Sequence, residues 1–164
     1  MAAGKWIGGI MGFMTGGPLG ALAGLAVGAL FDAFSGNVSN NVSGEYSRQQ
    51  MYEGQRNSFL FSLLVLASYI IKADGKIMHS EMELVRRFLR TNFGEAAVKQ
   101  GAAILLKLFK EQDQMNSNNP YAFKQTIHNC CEQIASNLGE SERLQLLNFL
   151  VLISQADGNV SPEE

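Results

Sequence analysis

The chain has 164 residues, with 13 Lys and Arg against 15 Asp and Glu, so its formal net charge is −2. This length allows one domain, or one domain with an appendage, and the near-zero charge argues against a nucleic-acid binder, which needs a basic surface. The charges are unevenly distributed, because residues 1–34 carry only Lys5 and Asp32 together with nine of the seventeen glycines. A single water-soluble globule is therefore not expected.

Residues 1–34 have the features of a membrane-spanning helix. The run from Trp6 to Phe31 contains 26 residues without a charge. As a helix this run is about 39 Å long, which exceeds the ~30 Å hydrocarbon core of a bilayer. In water each glycine would cost a helix ~1 kcal/mol relative to alanine, so a soluble helix is a poor explanation. The sequence predicts one transmembrane helix in this segment.

Glycine recurs at every fourth position of this segment, which produces a smooth groove with almost no side chains along the helix. In lipid such a groove lets a second helix approach closely. We therefore expect a homodimer formed through the N-terminal helix. The glycines assigned to this contact are Gly8, Gly12, Gly16, Gly20, Gly24 and Gly28.

Alternatives for the segment differ in how it meets the membrane. A secretory signal peptide fits poorly, since one Lys is a thin positive region and the apolar run is too long. Pro18 either kinks a spanning helix or breaks it into a re-entrant hairpin. Residues 35–44 are a polar linker of turn-forming residues that separates the membrane segment from a domain over residues 45–164.

The rest of the chain predicts an all-α domain, because its apolar residues recur at three and four and no period-two alternation extends over a useful length. One helix ends near Ala73. The next helices are expected over residues 80–92, with Ser80 and Glu83 as a capping box, and over 96–111, 120–139 and 141–156. The stretch from Ser161 to Glu164 predicts the start of a further helix, so we expect the domain to continue past residue 164.

The periodicity also predicts which side chains form the core. The expected core positions of the third to fifth helices include Ala103, Leu106, Phe109, Phe123, Ile127, Cys130, Cys131, Ile134, Leu144, Leu147, Phe149, Leu150 and Ile153. Cys130 and Cys131 are adjacent, and neighbouring cysteines form a disulfide only with strain. Two small buried thiols in a reducing compartment are expected, and a vicinal metal or redox pair is the alternative.

An internal repeat spaces two similar corners 83 residues apart. Lys72-Ala73-Asp74-Gly75-Lys76-Ile77 matches Gln155-Ala156-Asp157-Gly158-Asn159-Val160. Each copy is an apolar helix, an Ala-Asp-Gly break, one aliphatic residue and a new helix start. The aspartates either make a tight turn or converge to share a divalent cation. The loop is not an EF-hand, since acidic residues do not alternate before the glycine.

These motifs resemble a known family. A glycine-zipper span followed by Lys-Ala-Asp-Gly-Lys-Ile and by Gln-Ala-Asp-Gly-Asn-Val-Ser-Pro-Glu-Glu is similar to the N-terminal part of DjlA-type membrane-anchored J-domain co-chaperones. Residues 45–164 resemble the TerB-like helical domain of tellurite-resistance proteins. The resemblance implies a single transmembrane segment that dimerises and an all-α domain. We expect the segment to cross the bacterial inner membrane once, with the domain in the cytoplasm, because the bulk of the chain follows the segment and its thiols indicate a reducing compartment.

The resemblance also implies candidate metal ligands and a candidate partner. TerB-like domains are linked to metal or stress sensing through acidic residues at the two corners, which here are Asp74, Glu81, Asp157 and Glu164. In DjlA-type proteins a J domain with a His-Pro-Asp motif follows and stimulates a DnaK-type chaperone. No His-Pro-Asp occurs in this sequence, so a DnaK-type partner is expected only if a J domain follows.

Catalysis finds no support in the motifs, and no catalytic or cofactor-binding residue is assigned. Neither histidine lies near a nucleophile and a carboxylate in sequence. His128 is expected to be partly buried, and His79 is expected to be a solvated residue at a helix start. The leading hypothesis is a membrane-anchored, non-enzymatic interaction or sensing protein. A divalent-metal-binding stress-response protein is the alternative, and a membrane-active peptide fused to a neutralising domain is a distant third.

Overall fold

The computed structural model describes residues 17–34, 48–73, 75–77, 79–156 and 158, and it describes the side chains of 17–26 and of those from Ser58 onward. The described part of the chain is all-helical, as the sequence predicts. The helices are α1 (Gly17–Phe34), α2 (Arg48–Ile71), α3 (His79–Phe93), α4 (Glu95–Asn118), α5 (Ala122–Asn137) and α6 (Glu140–Ser154). The linker predicted over 35–44 and the helix start predicted at Ser161 lie outside the described residues.

Helix α2 is the centre of the bundle, with α4, α5 and α6 packed around it. From Ser58 onward its apolar residues cover the whole circumference of the helix, and a helix that is apolar on every side is buried. The fully or almost fully buried side chains are Leu60, Phe61, Leu63, Leu64, Val65, Leu66, Ala67 and Ile71. The buried serines keep partners within the helix, since the Ser62 hydroxyl donates to the Ser58 carbonyl (2.7 Å) and the Ser68 hydroxyl to that of Val65 (2.6 Å).

Helices α3 and α4 form a hairpin around Gly94, which ends α3 as the sequence predicts. Gly94 has φ +89°, a left-handed conformation that glycine adopts without steric cost. Inside the hairpin, a Cβ added at Gly101 would lie 2.5 Å from Leu89 Cδ1, so the glycine allows a close approach of the two helices. The exposed Arg90 side chain donates to the Glu95 carboxylate (2.8 Å) across the turn.

Helix α4 continues to Asn118, seven residues beyond the end that periodicity predicts. Residues 112–118, which form the added turns, are mostly polar, so the spacing of apolar residues did not predict that the helix includes them. They still pack inward through Gln112, which is buried, and Met115, which is partly buried against the core. The Asn116 side chain then accepts a hydrogen bond from the Phe123 N–H (3.1 Å), which ties the end of α4 to the start of α5.

Four of the predicted core positions are wrong. Leu144 and Leu147 are each 58% exposed and Leu106 is 62% exposed, and Cys131 is exposed as well. In α6 the buried stripe runs through Leu146, Phe149 and Ile153, and Leu144 and Leu147 point elsewhere. In the other two helices, Leu106 and Cys131 are one residue past a buried neighbour, Leu105 and Cys130, and so lie about 100° around the helix.

Helix α1 lies against α4 and α5, with its face of Leu19, Leu22, Ala23 and Ala26 buried in the common core. It begins at Gly17, whose φ of +68° is outside the right-handed helical range. Pro18 therefore occupies the first turn of α1, where its missing N–H costs nothing. The part of the predicted span that precedes Gly17 lies outside the described residues. Among the described residues, no helix combines the length and apolarity needed to cross a membrane.

Candidate functional site

The two repeated corners have the same backbone geometry. At the first corner (Lys72–Gly75) the Ala73 N–H donates to the Ile70 carbonyl (3.1 Å) and the Gly75 N–H to the Lys72 carbonyl (3.0 Å). At the second corner (Gln155–Gly158) the Ala156 and Gly158 N–H groups donate to Ile153 and Gln155, each at 3.0 Å. Gly75 and Gly158 have φ values of +80° and +83°. The repeat seen in the sequence is thus a repeat of structure.

The corners differ in how they are held to the bundle. Lys72, with a side chain 15% exposed, forms an ion pair with Asp113 and donates to the Phe109 carbonyl (3.1 Å), so the first corner is tied to α4. The second corner has Gln155 at the equivalent position, and this residue is exposed. An exposed amide needs no protein partner. The first corner is therefore the more firmly anchored of the two.

Of the four acidic residues predicted to bind a metal, the structure describes Glu81. It lies in the first turn of α3, is 2% exposed and sits nine residues beyond Lys72. A carboxylate at this end of a helix interacts favourably with the helix dipole. Asp74, Asp157 and Glu164 lie outside the described residues. Within the described ranges, no group of three or more His, Cys, Asp and Glu could hold a metal ion.

The predicted capping box of α3 is wrong. The helix begins at His79, so Ser80 lies inside its first turn instead of preceding it. Glu83 accepts a hydrogen bond from Arg86 (2.7 Å), and this bond, with the charge of Arg86, lowers the pKa of the Glu83 carboxyl. The Glu83 side chain, which would have to reach back to the helix start in a capping box, is thus hydrogen-bonded to Arg86 in the next turn.

The predicted exposure of the two histidines and two cysteines is right for His79 and Cys130 and wrong for His128 and Cys131. His79 is exposed at the start of α3, as predicted, whereas His128 is 68% exposed, with Nε2 3.6 Å from a Glu132 carboxylate oxygen. Cys130 is buried, and burial raises the pKa of its thiol to about 12. Cys131 is exposed at the surface of α5, and partial burial raises its pKa as well. The pair therefore presents one accessible thiol.

The side of α1 that carries Gly24, here called the glycine face, points away from the bundle. Gly24 is exposed, and a Cβ added there would meet nothing within 4 Å, while Leu25 beside it is 50% exposed. Gly20 is half-buried. Of the other glycines assigned to dimerisation, Gly8, Gly12 and Gly16 lie outside the described residues, and the surroundings of Gly28 are not described. The described part of the stripe remains accessible to a second helix.

Sequence reasoning missed an apolar surface on α6. Between Leu144 and Ala156 this helix has no charged residue, and four of its exposed side chains are apolar: Leu144, Leu147, Val151 and Leu152. At one edge of this surface a cavity of about 180 Å³ opens between α2, α3 and α6. Its lining includes the rings of Phe88 and Phe149, which are tilted by 39° to one another with centroids 4.1 Å apart. The missing charges between 144 and 156 were the signal that could have revealed it.

Two family models match the chain. Residues 61–164 match the family described as Tellurite resistance protein TerB. The chain belongs to the TerB family. Ahead of the TerB region, residues 1–51 match the Co-chaperone DjlA transmembrane domain, so this TerB protein is DjlA-like and membrane-anchored. No curated protein and no solved structure shows significant similarity to the chain.

Proposed function

We propose that this TerB protein is a non-enzymatic interaction or sensing protein whose helical bundle is held at the membrane by its N-terminal segment. The observation that carries the proposal is the combination in one chain of a DjlA transmembrane domain over 1–51 and a TerB domain over 61–164. An anchor confines the bundle to a surface, where binding to neighbouring proteins is favoured by a high effective concentration. The exposed apolar surface of α6 is the kind of surface such binding uses.

The bundle faces the cytoplasm of a bacterium, with a single pass through the inner membrane. The free thiols support this placement, because Cys131 is exposed and unbridged, and exposed thiols persist in a reducing compartment. The bulk of the chain follows the apolar segment, which leaves a short N-terminus on the outer side.

Self-association through the glycine face is the interaction that the sequence and the fold support together. The exposed Gly24 leaves room for the backbone of a second helix, and small residues four apart allow close helix contacts in lipid. The test is the oligomeric state of the full chain in membranes, measured by cross-linking. We expect Gly24→Ile to reduce the dimer strongly, and Gly24→Ala, which stays small, to retain it. An undiminished dimer in Gly24→Ile contradicts the proposal.

Binding of a divalent cation at the corners is the second candidate function. Its supporting observation is the shared geometry of the two corners, together with a buried carboxylate, Glu81, nine residues beyond Lys72 of the first corner. Carboxylate oxygens are the ligands that hard divalent cations take. We expect Ca²⁺ or Mg²⁺ to raise the melting temperature of the full chain, and Asp74→Asn with Asp157→Asn to abolish that rise. A wild-type melting temperature that is independent of both ions contradicts this candidate.

A further inference from the structure

The C-terminal half of the membrane segment is also a part of the helical bundle. Leu19, Leu22, Ala23 and Ala26 are each no more than 5% exposed, and they belong to the same core cluster as the residues of α2. All four lie within the region that matches the DjlA transmembrane domain. The same apolar face therefore has two possible environments, the interior of the bundle and the hydrocarbon of a bilayer, and it cannot occupy both at once.

The contact between α1 and the bundle includes a directed polar interaction. The Gln133 side-chain carbonyl accepts a hydrogen bond from the Leu19 N–H (3.0 Å). The first N–H groups of a helix have no partner within it, so this amide of α5 caps the start of α1. A Cβ added at Gly17 would lie 2.9 Å from Gln133 Oε1, which shows how closely helices α1 and α5 approach each other there. The bundle thus holds the beginning of α1 in a defined position.

We propose that residues 19–26 exchange between the groove formed by α4 and α5 and the lipid bilayer, so that the bundle is a receptor for a part of its own anchor. Lipid tails are as apolar as leucine, so the apolar face loses little in either direction. The hydrogen bonds of the polar groups at the helix ends therefore have a large effect on the equilibrium between the groove and the bilayer. In the groove the Leu19 N–H has Gln133 as its acceptor. In lipid a helix start must find another partner.

Docking and self-association use opposite sides of α1. The buried face is Leu19, Leu22, Ala23 and Ala26, whereas Gly24 and Leu25 face outward. A second copy can therefore contact the glycine face while residues 19–26 stay in the groove. Transfer of these residues into lipid opens the groove between α4 and α5 to another apolar helix. Membrane insertion of the anchor and exposure of a binding surface on the bundle are thereby coupled.

The exchange is tested by competition between phosphatidylcholine vesicles and the groove, with the full chain diluted from detergent and separated by flotation. Gln133→Leu removes the cap on α1, and we expect it to raise the vesicle-bound to free ratio about threefold to tenfold. Gln133→Glu keeps an acceptor and adds a charge that the helix start favours, so we expect it to lower that ratio. Gln125→Leu, at an exposed position two turns earlier in α5, is the matched control and should leave the ratio unchanged.

A second measurement reports the docked state itself. In a Cys131→Ser background, Leu22→Cys should react with a water-soluble maleimide at least about tenfold more slowly in vesicle-free buffer than in urea, because the side chain of Leu22 is 2% exposed. Labelling is read at position 22 by peptide mass, so that Cys130, which also becomes accessible in urea, does not contribute. Rapid reaction in buffer overturns the docked state, and equal flotation of all the Gln133 variants overturns the exchange. A wild-type chain that never floats with vesicles contradicts the membrane anchor as well, which separates that failure from a failure of the exchange alone.

Discussion

Gly75 and Gly158, 83 residues apart in the chain, each lie four residues beyond the end of a helix, α2 and α6 respectively, with φ values of +80° and +83° and equivalent backbone hydrogen bonds at the two corners. A Cβ added at either glycine meets nothing within 4 Å. Both positions therefore need glycine for backbone conformation alone, since space is available for a side chain. The chain therefore leaves α2 and α6 through turns with the same glycine conformation and the same hydrogen-bond pattern.

Substitution of either corner glycine by alanine should destabilise the bundle. We expect Gly75→Ala and Gly158→Ala each to lower the free energy of unfolding by about 1 kcal/mol or more, because alanine is strained at positive φ. Gly24→Ala is the control, since Gly24 lies within α1 with open space around it and alanine favours a helix there. Urea unfolding followed by circular dichroism checks the prediction. Equal stability of Gly75→Ala and Gly24→Ala would contradict it.

A different glycine is needed for close packing. A Cβ at Gly101 would lie 2.5 Å from Leu89 Cδ1, so we expect Gly101→Ala to cost about 1–3 kcal/mol through overpacking. Shortening the opposing side chain should relieve the clash. In the double variant with Leu89→Ala, the loss should be smaller than the sum of the two single losses, and additive losses would argue against this contact.

The attachment of the first corner to α4 should be measurable at Lys72. Lys72→Met removes the ion pair with Asp113 and the hydrogen bond to the Phe109 carbonyl while keeping the apolar stem. We expect a loss of about 1 kcal/mol in the free energy of unfolding. Asp113→Asn should cost less, since the Asp113 side chain is 70% exposed and the bond to Phe109 is retained. A larger loss in Asp113→Asn than in Lys72→Met would contradict the assignment.

The two thiols should react at very different rates. Cys131 is exposed and Cys130 is buried with a pKa of about 12, and the thiolate is the reactive form. We expect iodoacetamide at pH 8 to add one label to the native chain and two in urea, as read by intact mass. Because burial also raises the pKa of Cys131, its labelling rate should still be rising at pH 9. Two labels on the native chain would show that the buried thiol is accessible.

The sequence predicted the parts of the fold that depend on local signals. Gly94, Gly75 and Gly158 were each expected to end a helix, and all three have positive φ. Gly94 directly follows α3, whereas Gly75 and Gly158 lie in the turns that follow α2 and α6. The buried side of α6 was predicted only in part: Phe149 and Ile153 are buried as expected, whereas Leu144 and Leu147 are exposed. Because α6 is uncharged from Leu144 to its end at Ser154 and apolar on several sides, its periodicity does not single out one face. The packing of α1 against α4 and α5 could not be predicted from the sequence either, since a helix face of leucine and alanine is equally compatible with a bilayer and with a protein core.

The candidate metal site was predictable only as a set of residues. Glu81 was selected by its place in the motif, but its near-complete burial follows from the packing of α3 on the bundle. Long-range packing of this kind leaves no trace in the spacing of four acidic residues along the chain. The binding of a metal by Asp74, Glu81, Asp157 and Glu164 therefore stays a prediction.

Alkaline carbonate extraction of cell membranes measures whether residues 1–34 hold the TerB bundle at the membrane. Wild-type chain should remain in the washed membrane pellet. Leu25→Arg should move part of the chain to the supernatant, because an arginine inside a span costs up to about 2.5–3.5 kcal/mol at its centre. Leu25 lies six residues before the end of the uncharged run at Phe31, and it is 50% exposed in the bundle, which tolerates the change. Leu144→Arg, at an exposed leucine of α6, should stay in the pellet. Release of the wild-type chain by carbonate, or retention of Leu25→Arg to the wild-type level, would contradict the account.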